Sequence, residues 1–296
     1  MQIEKTTPLW IAARGLLYER GDDLFRRWDK VLKTFDAEDI HDLRVASRRL
    51  REGLVLFAPC YPAMNIARLV RKIRQVTRLL GEIRNADEAL LFFTGLTDEF
   101  TGLCRSDLEG LAGRFRDNRG KGLKKLRKGL RQAAPAPLRD LYVRTINSLS
   151  LFTPVAGSVD LFAPLSAFAG EALAVRLADV AKLVPDARRA GEVEAQHLLR
   201  IAVKHFRYRM EILAMLLGTD FEKLHATVKA YQEVLGTMHD LDVFATIVRE
   251  EGFPTGTERP VLNAIAAKRA ALFEDFTGML ESAPFEEIGE RIRNAL

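Results

Sequence analysis

Two short segments of the chain repeat one spacing of histidine and basic side chains. In each segment a histidine is followed at positions +3, +7 and +10 by arginine or lysine. Guanidinium groups bind phosphate and carboxylate oxygens in pairs, and lysine adds a point charge. A duplicated row of such cations indicates a surface for a long anion. The first stripe is His41, Arg44, Arg48 and Arg51, and the second stripe is His197, Arg200, Lys204 and Arg207.

The spacing predicts that each stripe lies on one face of an amphipathic helix. At about 100° per residue, the side chains of the first stripe fall within an arc of about 80°. Apolar residues fall on the opposite side and are expected to face a core, such as Leu43 and Leu50 in the first helix and Leu199 and Phe206 in the second. We expect no carboxylate on the cationic arc of either helix, and we expect Asp39 to cap the first helix.

A second duplicated block follows each stripe. Residues 79–87 match residues 234–242, and in both blocks an apolar run leads to glycine, a short polar corner and aspartate. We interpret the glycine as the left-handed residue that ends one helix, and the aspartate as part of the first turn of the next. Arg84 and His239 then occupy equivalent corners. This interpretation predicts helix pairs at 63–82 and 84–97, and at 220–236 and 238–250.

Composition favours an all-α protein. Helix-forming residues dominate, and no apolar run is long enough to cross a membrane. The N-terminus shows no secretory signal pattern, and two cysteines give neither a disulfide framework nor a metal site. We expect a cytoplasmic, reducing location. The net charge of +5 is unevenly spread, since positions 41–84 hold ten Lys/Arg against three acidic residues. Such clustering attracts polyanions.

The repeat also predicts how the chain is divided. We expect an N-terminal helical half at 1–150 and a C-terminal half at 163–296, with a linker at about 151–162. Each half is expected to hold about four helices, and duplication predicts a pseudo-symmetric pair of bundles. A second basic run, from Arg114 to Arg131, is either another anion surface or a solvated helix, predicted as two helices at 103–118 and 121–132.

The duplicated blocks together resemble the CHAD family, which is named for conserved histidines in an α-helical domain. The motifs are the basic segments at 41–51 and 197–208 and the Leu-Gly blocks at 80–87 and 235–242. The resemblance implies two bundles around a basic central groove or channel, binding of inorganic polyphosphate without a cofactor, and location at polyphosphate granules. The family often accompanies a triphosphate-tunnel catalytic domain. That catalytic domain would need an N-terminal strand with alternating Glu and Lys, and the first ten residues have only Glu4 and Lys5. We therefore expect a stand-alone binding domain.

The resemblance and the charge pattern together predict the ligands of polyphosphate. All eight residues of the two stripes are the primary candidates. Secondary candidates lie on the segments that follow: Arg74, Arg78, Arg84, Lys229 and His239. Asn85 departs from the family pattern, which has aspartate at that position, so it can cap a helix but cannot act as an acid. Outside both stripes, His225 is expected to be structural.

Four other interpretations of the same residues remain. A cationic helix face is often only a solvated surface. His41-Asp42 and His239-Asp240 could belong to a metal-dependent phosphohydrolase, although arginines around the histidines disfavour a metal ion. The basic surface could bind nucleic acid weakly, but aromatic side chains for base stacking are not interleaved with the cations. A scaffold protein with unknown protein partners is also compatible with the sequence. We expect no catalysis and no membrane association.

Overall fold

The structure, a computed structural model, describes residues 2–149 and 159–296. These residues form helices and contain no β-strand, which confirms the predicted all-α class. Within the described residues, no helix combines the length and the apolar character of a membrane span. The chain divides into two compact units. The N-terminal unit holds residues 7–149 and 159–163, and the C-terminal unit holds residues 2–6 and 164–296. Most of the predicted linker at 151–162 lies outside the described residues, so that boundary stays a prediction.

The N-terminal unit is a bundle of long helices in sequential contact. Helix α1 packs against α2, α2 against α3 and α3 against α4, while α5 packs against α1 and α3. Short connections join these helices, as expected for neighbours that run antiparallel. Trp28, Phe57 and Phe93 are fully buried in the core. The helices are α1 (Leu9–Thr34), α2 (Ala37–Leu56), α3 (Ala63–Thr97), α4 (Gly102–Gln132) and α5 (Pro135–Ile146), with a short 3-10 turn at Ala58–Cys60.

The C-terminal unit repeats this order of packing. Helix α6 packs against α7, α7 against α9 and α9 against α10, and a short final helix, α11, packs against α6. Phe206, Tyr231 and Phe276 are fully buried. The helices are α6 (Leu165–Ala187), α7 (Val193–Ile212), a short α8 (Ala214–Leu217), α9 (Phe221–Glu251), α10 (Thr255–Ser282) and α11 (Phe285–Ala295), with a 3-10 turn at Gly218–Asp220. The predicted arrangement of the bundles around a basic groove stays a prediction.

Three predicted helix breaks are wrong. Helix α3 runs through Gly81, α9 through Gly236 and α4 through Gly120 without interruption. None of these glycines has a positive φ angle, so none of them ends a helix in the left-handed conformation. A glycine inside a helix costs only about 1 kcal/mol relative to alanine, which the packing of a long amphipathic helix outweighs. The corners that we predicted are therefore the middle parts of two long helices.

The first stripe helix also begins earlier than predicted. Asp36 is its N-cap, and its carboxylate accepts a hydrogen bond of 2.8 Å from the backbone N–H of Glu38. Asp39, the predicted cap, is a buried residue of the first turn. Its carboxylate lies 2.6 Å from Lys30 Nζ and accepts a hydrogen bond of 2.7 Å from Thr34. Asp36 caps the helix, whereas the carboxylate of Asp39 binds Lys30 and Thr34 of α1 and so joins the two helices.

Candidate functional site

The first stripe occupies one face of α2, as predicted. The apolar face of this helix is buried, with Leu43, Leu50 and Leu54 fully enclosed. On the other face His41 is exposed, and the three arginines of the stripe are partly exposed. Ser47, between the two faces, joins α2 to α3 through a buried contact of 3.0 Å between its hydroxyl and that of Thr77. The core packing of α2 and this contact fix the direction in which the first stripe points.

Arg84 of α3 belongs to the same cluster as the first stripe. Partial desolvation lowers the pKa of His41, and the guanidinium of Arg84 is the next largest cause, ahead of Arg44 and Arg48. The corner residue therefore lies close to the start of the stripe. Arg84 is also paired with Glu88, one turn further along α3, at 2.7 Å. Both causes favour the neutral imidazole of His41, so the permanent positive charge of this cluster comes from the arginines.

A cavity of about 420 Å³ opens beside this cluster. Three helices of the N-terminal unit, α2, α3 and α4, contribute its charged lining. Arg116 and Arg119, both from the basic run on α4, were not among the predicted site residues. Sequence periodicity could not identify them, because the run has irregular spacing and no repeat. The charged and imidazole side chains of the lining are His41, Arg44, Arg84, Asp87, Arg116 and Arg119.

The aspartate of the first duplicated block pairs with α4. Asp87 forms an ion pair and hydrogen bond with Arg119 Nε. We predicted that this aspartate lies in the first turn of a helix, but it lies well inside α3. The pair joins α3 to α4 at the cavity. Other members of the basic run have separate partners: Lys125 lies 2.8 Å from Glu82, and Arg127 stacks 4.4 Å above the ring centroid of Phe35.

In the C-terminal unit, His197 of the second stripe is in direct contact with the corner residue His239. His197 Nδ1 and His239 Nδ1 lie 3.0 Å apart, and their ring centroids are separated by 4.2 Å. Burial is the largest cause that lowers the pKa of His239 to about 4, and the nearby charges of Arg200, His197 and Lys204 contribute to the same shift in that order. Three predicted primary ligands and one secondary ligand are thus gathered in one place.

The second duplicated aspartate repeats the pairing found in the N-terminal unit. Asp242 of α9 accepts hydrogen bonds from Arg269 of α10 at 2.5 and 3.3 Å. The same guanidinium donates at 2.6 Å to the side chain of Gln196, the neighbour of His197. The sequence analysis missed Arg269 and Gln196. The sequence held one indication of these contacts, which is that both copies of the block contain the aspartate. An aspartate present in both copies predicts that each one binds an equivalent basic partner.

Arg207, at the end of the second stripe, has internal partners. Its side chain is 12% exposed, and its guanidinium donates at 2.8 Å to Glu211 and at 2.8 Å to Gln232. Glu211, one turn along α7, also lies 3.0 Å from His225 Nε2. The prediction that no carboxylate lies on the cationic arc is therefore wrong for α7. Glu211 lies on the same face of α7 as the stripe, but it is only 8% exposed. A carboxylate buried to this extent requires a cationic partner.

The remaining predicted residues lie along the same helices. Arg74 and Arg78 are exposed on α3, and Lys229 is exposed on α9, 3.4 Å from Glu233. Arg74 and Lys229 each precede the corner residue by ten positions, about 15 Å along a helix. Arg51 is partly exposed on α2. Among the described residues, no group of three or more His, Cys, Asp and Glu side chains is placed to hold a metal ion.

Comparisons with known proteins agree with this architecture. A protein of Mycobacterium tuberculosis, described as uncharacterized, is 26% identical over an alignment of 282 positions, which covers 91% of this chain and 48% of that protein. The chain thus spans about half the length of this curated relative. The crystal structure of the CHAD domain from the plant Ricinus communis has a TM-score of 0.65 at 20% identity, with 99% of this chain and 94% of that chain covered. PptA from Streptomyces chartreusis has a TM-score of 0.67 at 15% identity, with 96% and 100% covered.

The family comparison covers the two stripes and both duplicated blocks. The model of the CHAD domain matches residues 16–249, which include helices α2, α3 and α7 in full and nearly all of α9. The resemblance drawn from the sequence motifs is therefore confirmed, and this chain belongs to the CHAD family.

Proposed function

We propose that this chain binds inorganic polyphosphate, without catalysis, through the two stripes, except Arg207, and through the corner residues Arg84 and His239. The observation that carries the proposal is that each duplicated block is gathered into a cationic cluster. His41, Arg44 and Arg84 line one cavity, and His239 lies among His197, Arg200 and Lys204. The resemblance to the CHAD family implies polyphosphate as the anion. Location at cytoplasmic polyphosphate granules is part of the same proposal.

The chemistry of the clusters fits a chain of phosphates. Polyphosphate carries about one negative charge per phosphate and has no bases to recognise, so binding depends on charge and on hydrogen-bond donors. Arginine forks can hold two oxygens of one phosphate, and residues one helical turn apart, about 5.4 Å, can contact successive phosphates. Neutral histidines donate one hydrogen bond each and add charge when phosphate favours their protonation.

The nature of the clusters also supports binding over hydrolysis. A metal-dependent phosphohydrolase needs several convergent carboxylate and imidazole ligands around a divalent cation. Beside His197 and His239 lie the charges of Arg200 and Lys204, which disfavour a cation there. The duplicated carboxylates, Asp87 and Asp242, are paired with arginines. Non-catalytic binding is the simpler use of these residues.

The experiment that tests this proposal is a titration with long-chain polyphosphate. A variant with Arg44, Arg48, Arg200 and Lys204 changed to alanine is compared with a control that loses the same charge elsewhere. The control changes four exposed cations outside the stripes, Arg68, Lys128, Lys182 and Arg249, to alanine. The proposal predicts that the stripe variant loses most of the affinity while it stays folded by circular dichroism, and that the control keeps it.

The same titration separates polyphosphate from nucleic acid and from a scaffold role. Single-stranded RNA is used as the competing polyanion in each assay. Preference for polyphosphate that is lost with the stripe residues supports the proposal. Equal binding of RNA and polyphosphate would mean that the clusters recognise charge alone. Unchanged binding by the stripe variant, or no binding by the native chain, would overturn the proposal and favour a scaffold that uses another surface.

A further inference from the structure

The cavity of the N-terminal unit is lined by apolar as well as by charged side chains. Apolar side chains from α2 and α3 line this cavity together with the arginines, and we call them the apolar wall. Ile40 contributes from α2, and Leu90 and Leu91 contribute from α3. Leu91 is 75% exposed and lines the cavity together with the arginines. An exposed leucine alone needs no explanation, but one that lines a cavity of a binding cluster does.

Polyphosphate has no apolar group that could contact the apolar wall. Each phosphate unit of the polymer is charged and hydrated, so contact with leucine would only desolvate it. A ligand that uses the whole cavity carries phosphates at one end and an apolar or planar group at the other. The cavity of about 420 Å³ falls in the range of sites for single small molecules.

The charges of the lining fix what the anionic end must be. Four arginines, from α2, α3 and α4, line the cavity with one carboxylate, Asp87. Asp87 engages Arg119, and Arg84 is shared with Glu88. A terminal phosphate group has three non-bridging oxygens, so one phosphate cannot accept paired hydrogen bonds from all four guanidinium groups. Two or three linked phosphates match this set better than a single phosphate.

We infer that this cavity binds a small organic di- or triphosphate, with its phosphates at Arg44, Arg84, Arg116 and Arg119 and its apolar or planar group against Ile40, Leu90 and Leu91. Nucleoside triphosphates meet this description. The inference goes beyond the proposed function, since the ligand is a small molecule and the site lies within one unit. It shares the arginines with the polyphosphate site, so the two ligands compete.

The test compares a triphosphate that carries an organic group with one that does not. Binding of ATP, tripolyphosphate and adenosine to the full chain is measured by isothermal titration calorimetry in a buffer with EDTA. We expect ATP to bind about tenfold more tightly than tripolyphosphate, since burial of part of two leucine side chains contributes that much. Adenosine is expected to give no measurable binding, because it lacks the anionic end.

Two pairs of variants locate the two ends of the ligand. Leu91→Ser should remove most of the advantage of ATP and leave tripolyphosphate unchanged, whereas Leu103→Ser, at an exposed leucine of α4 outside the lining, should change neither. Arg116→Ala should weaken both triphosphates by about tenfold, and Arg131→Ala, further along α4, should not. All four side chains are exposed, so the variants are expected to fold.

Two results would overturn the inference. Equal affinities for ATP and tripolyphosphate would show that the apolar wall contributes nothing to binding, and an unchanged ATP affinity in Leu91→Ser would place the ligand elsewhere. Binding of long-chain polyphosphate is measured on the same protein samples. If polyphosphate binds while ATP has no advantage, this inference fails and the proposed function stands. If ATP binds at the cavity and polyphosphate does not bind, the proposed function fails instead.

Discussion

The Nδ1 atoms of His197 and His239 lie 3.0 Å apart, so one imidazole donates a hydrogen bond to the other. Such a contact requires that at least one of the two rings is neutral, because two protonated rings would each present a donor. Arg200 and Lys204 add positive charge beside the pair, and burial lowers the pKa of His239 to about 4. At neutral pH His239 is therefore a neutral hydrogen-bonding group, and Arg200 and Lys204 supply positive charge beside it.

The pair predicts a loss of stability in acid. In the unfolded chain His239 has a pKa near 6.5 and takes up a proton below that pH, whereas in the folded chain it does so only near pH 4. The stability that comes from keeping this ring neutral is complete above pH 6.5 and decreases as the pH falls to 4, by up to about 3 kcal/mol. Urea unfolding between pH 4 and 7 measures it.

The control for this prediction is His239→Gln, which keeps a polar side chain but cannot titrate. Its free energy of unfolding should fall less between pH 6.5 and pH 4 than that of the native chain. If the two proteins show the same pH dependence, the neutral His197–His239 pair is not what makes the fold sensitive to acid.

The duplicated aspartates predict a matched pair of stability effects. Asp242→Asn should destabilise the chain by about 1–3 kcal/mol, because the guanidinium of Arg269, which is 16% exposed, would lose its charged partner and keep only neutral acceptors. Asp87→Asn should cost less, since Arg119 is 31% exposed and water can replace the carboxylate. Chemical denaturation of both variants checks the order of the two effects.

Asp87→Asn has a second expected result, on binding. The change removes a negative charge from the cavity lining, so polyphosphate should bind a few-fold more tightly. A weaker affinity would mean that Asp87 is needed to orient Arg119 toward the anion, and that the orientation matters more than the charge.

Arg207 is predicted to be a structural member of the second stripe. Arg207→Ala should destabilise the chain by about 2–4 kcal/mol, because Glu211 would remain buried with His225 as its partner. Its effect on polyphosphate affinity in the folded protein should be small. Replacing both Arg207 and Glu211 by alanine should cost less than the sum of the two single changes. A stable Arg207→Ala protein with a large loss of polyphosphate affinity would show that Arg207 is a ligand.

Much of this fold could be predicted from the sequence, because periodicity reports burial. The faces of α2 and α7 were correctly predicted: Leu43 and Leu50 in one helix and Leu199 and Phe206 in the other are fully buried. Arg84 and His239 were predicted as secondary ligands at helix corners, and those corners are wrong. Arg84 and His239 approach the stripes from the middle of long helices, since neighbouring helices bring together residues that are far apart in the sequence.

The remaining site residues could not be predicted, because their contacts depend on the register between helices. Arg119 pairs with Asp87 across 32 positions, and Arg269 pairs with Asp242 across 27 positions. Periodicity within one helix says nothing about which residue of the next helix lies opposite. Gly81 and Gly236 were misread for a related reason, since local propensity favours a helix end that the packing of a long helix overrides.

These two glycines provide a direct test of the long helices. Both have open space where a Cβ atom would lie, and neither has a positive φ angle. Gly81→Ala and Gly236→Ala should each stabilise the chain by about 0.5–1 kcal/mol. Gly252→Ala is the matched control, since it also has open space but a φ of 71°, and it should destabilise the chain. Destabilisation by all three changes would support the helix ends at Gly81 and Gly236 that the structure contradicts.

The most direct measurement of the central claim is the salt dependence of polyphosphate binding. Each phosphate contact releases a counterion, so the slope of log K against log salt counts the cations that engage the polymer. The variant that lacks Arg44, Arg48, Arg200 and Lys204 should show a slope shallower by roughly three to four than that of the native chain. The variant that lacks Arg68, Lys128, Lys182 and Arg249 should keep the native slope. Equal changes in both variants would contradict the claim that the duplicated stripes hold the polymer.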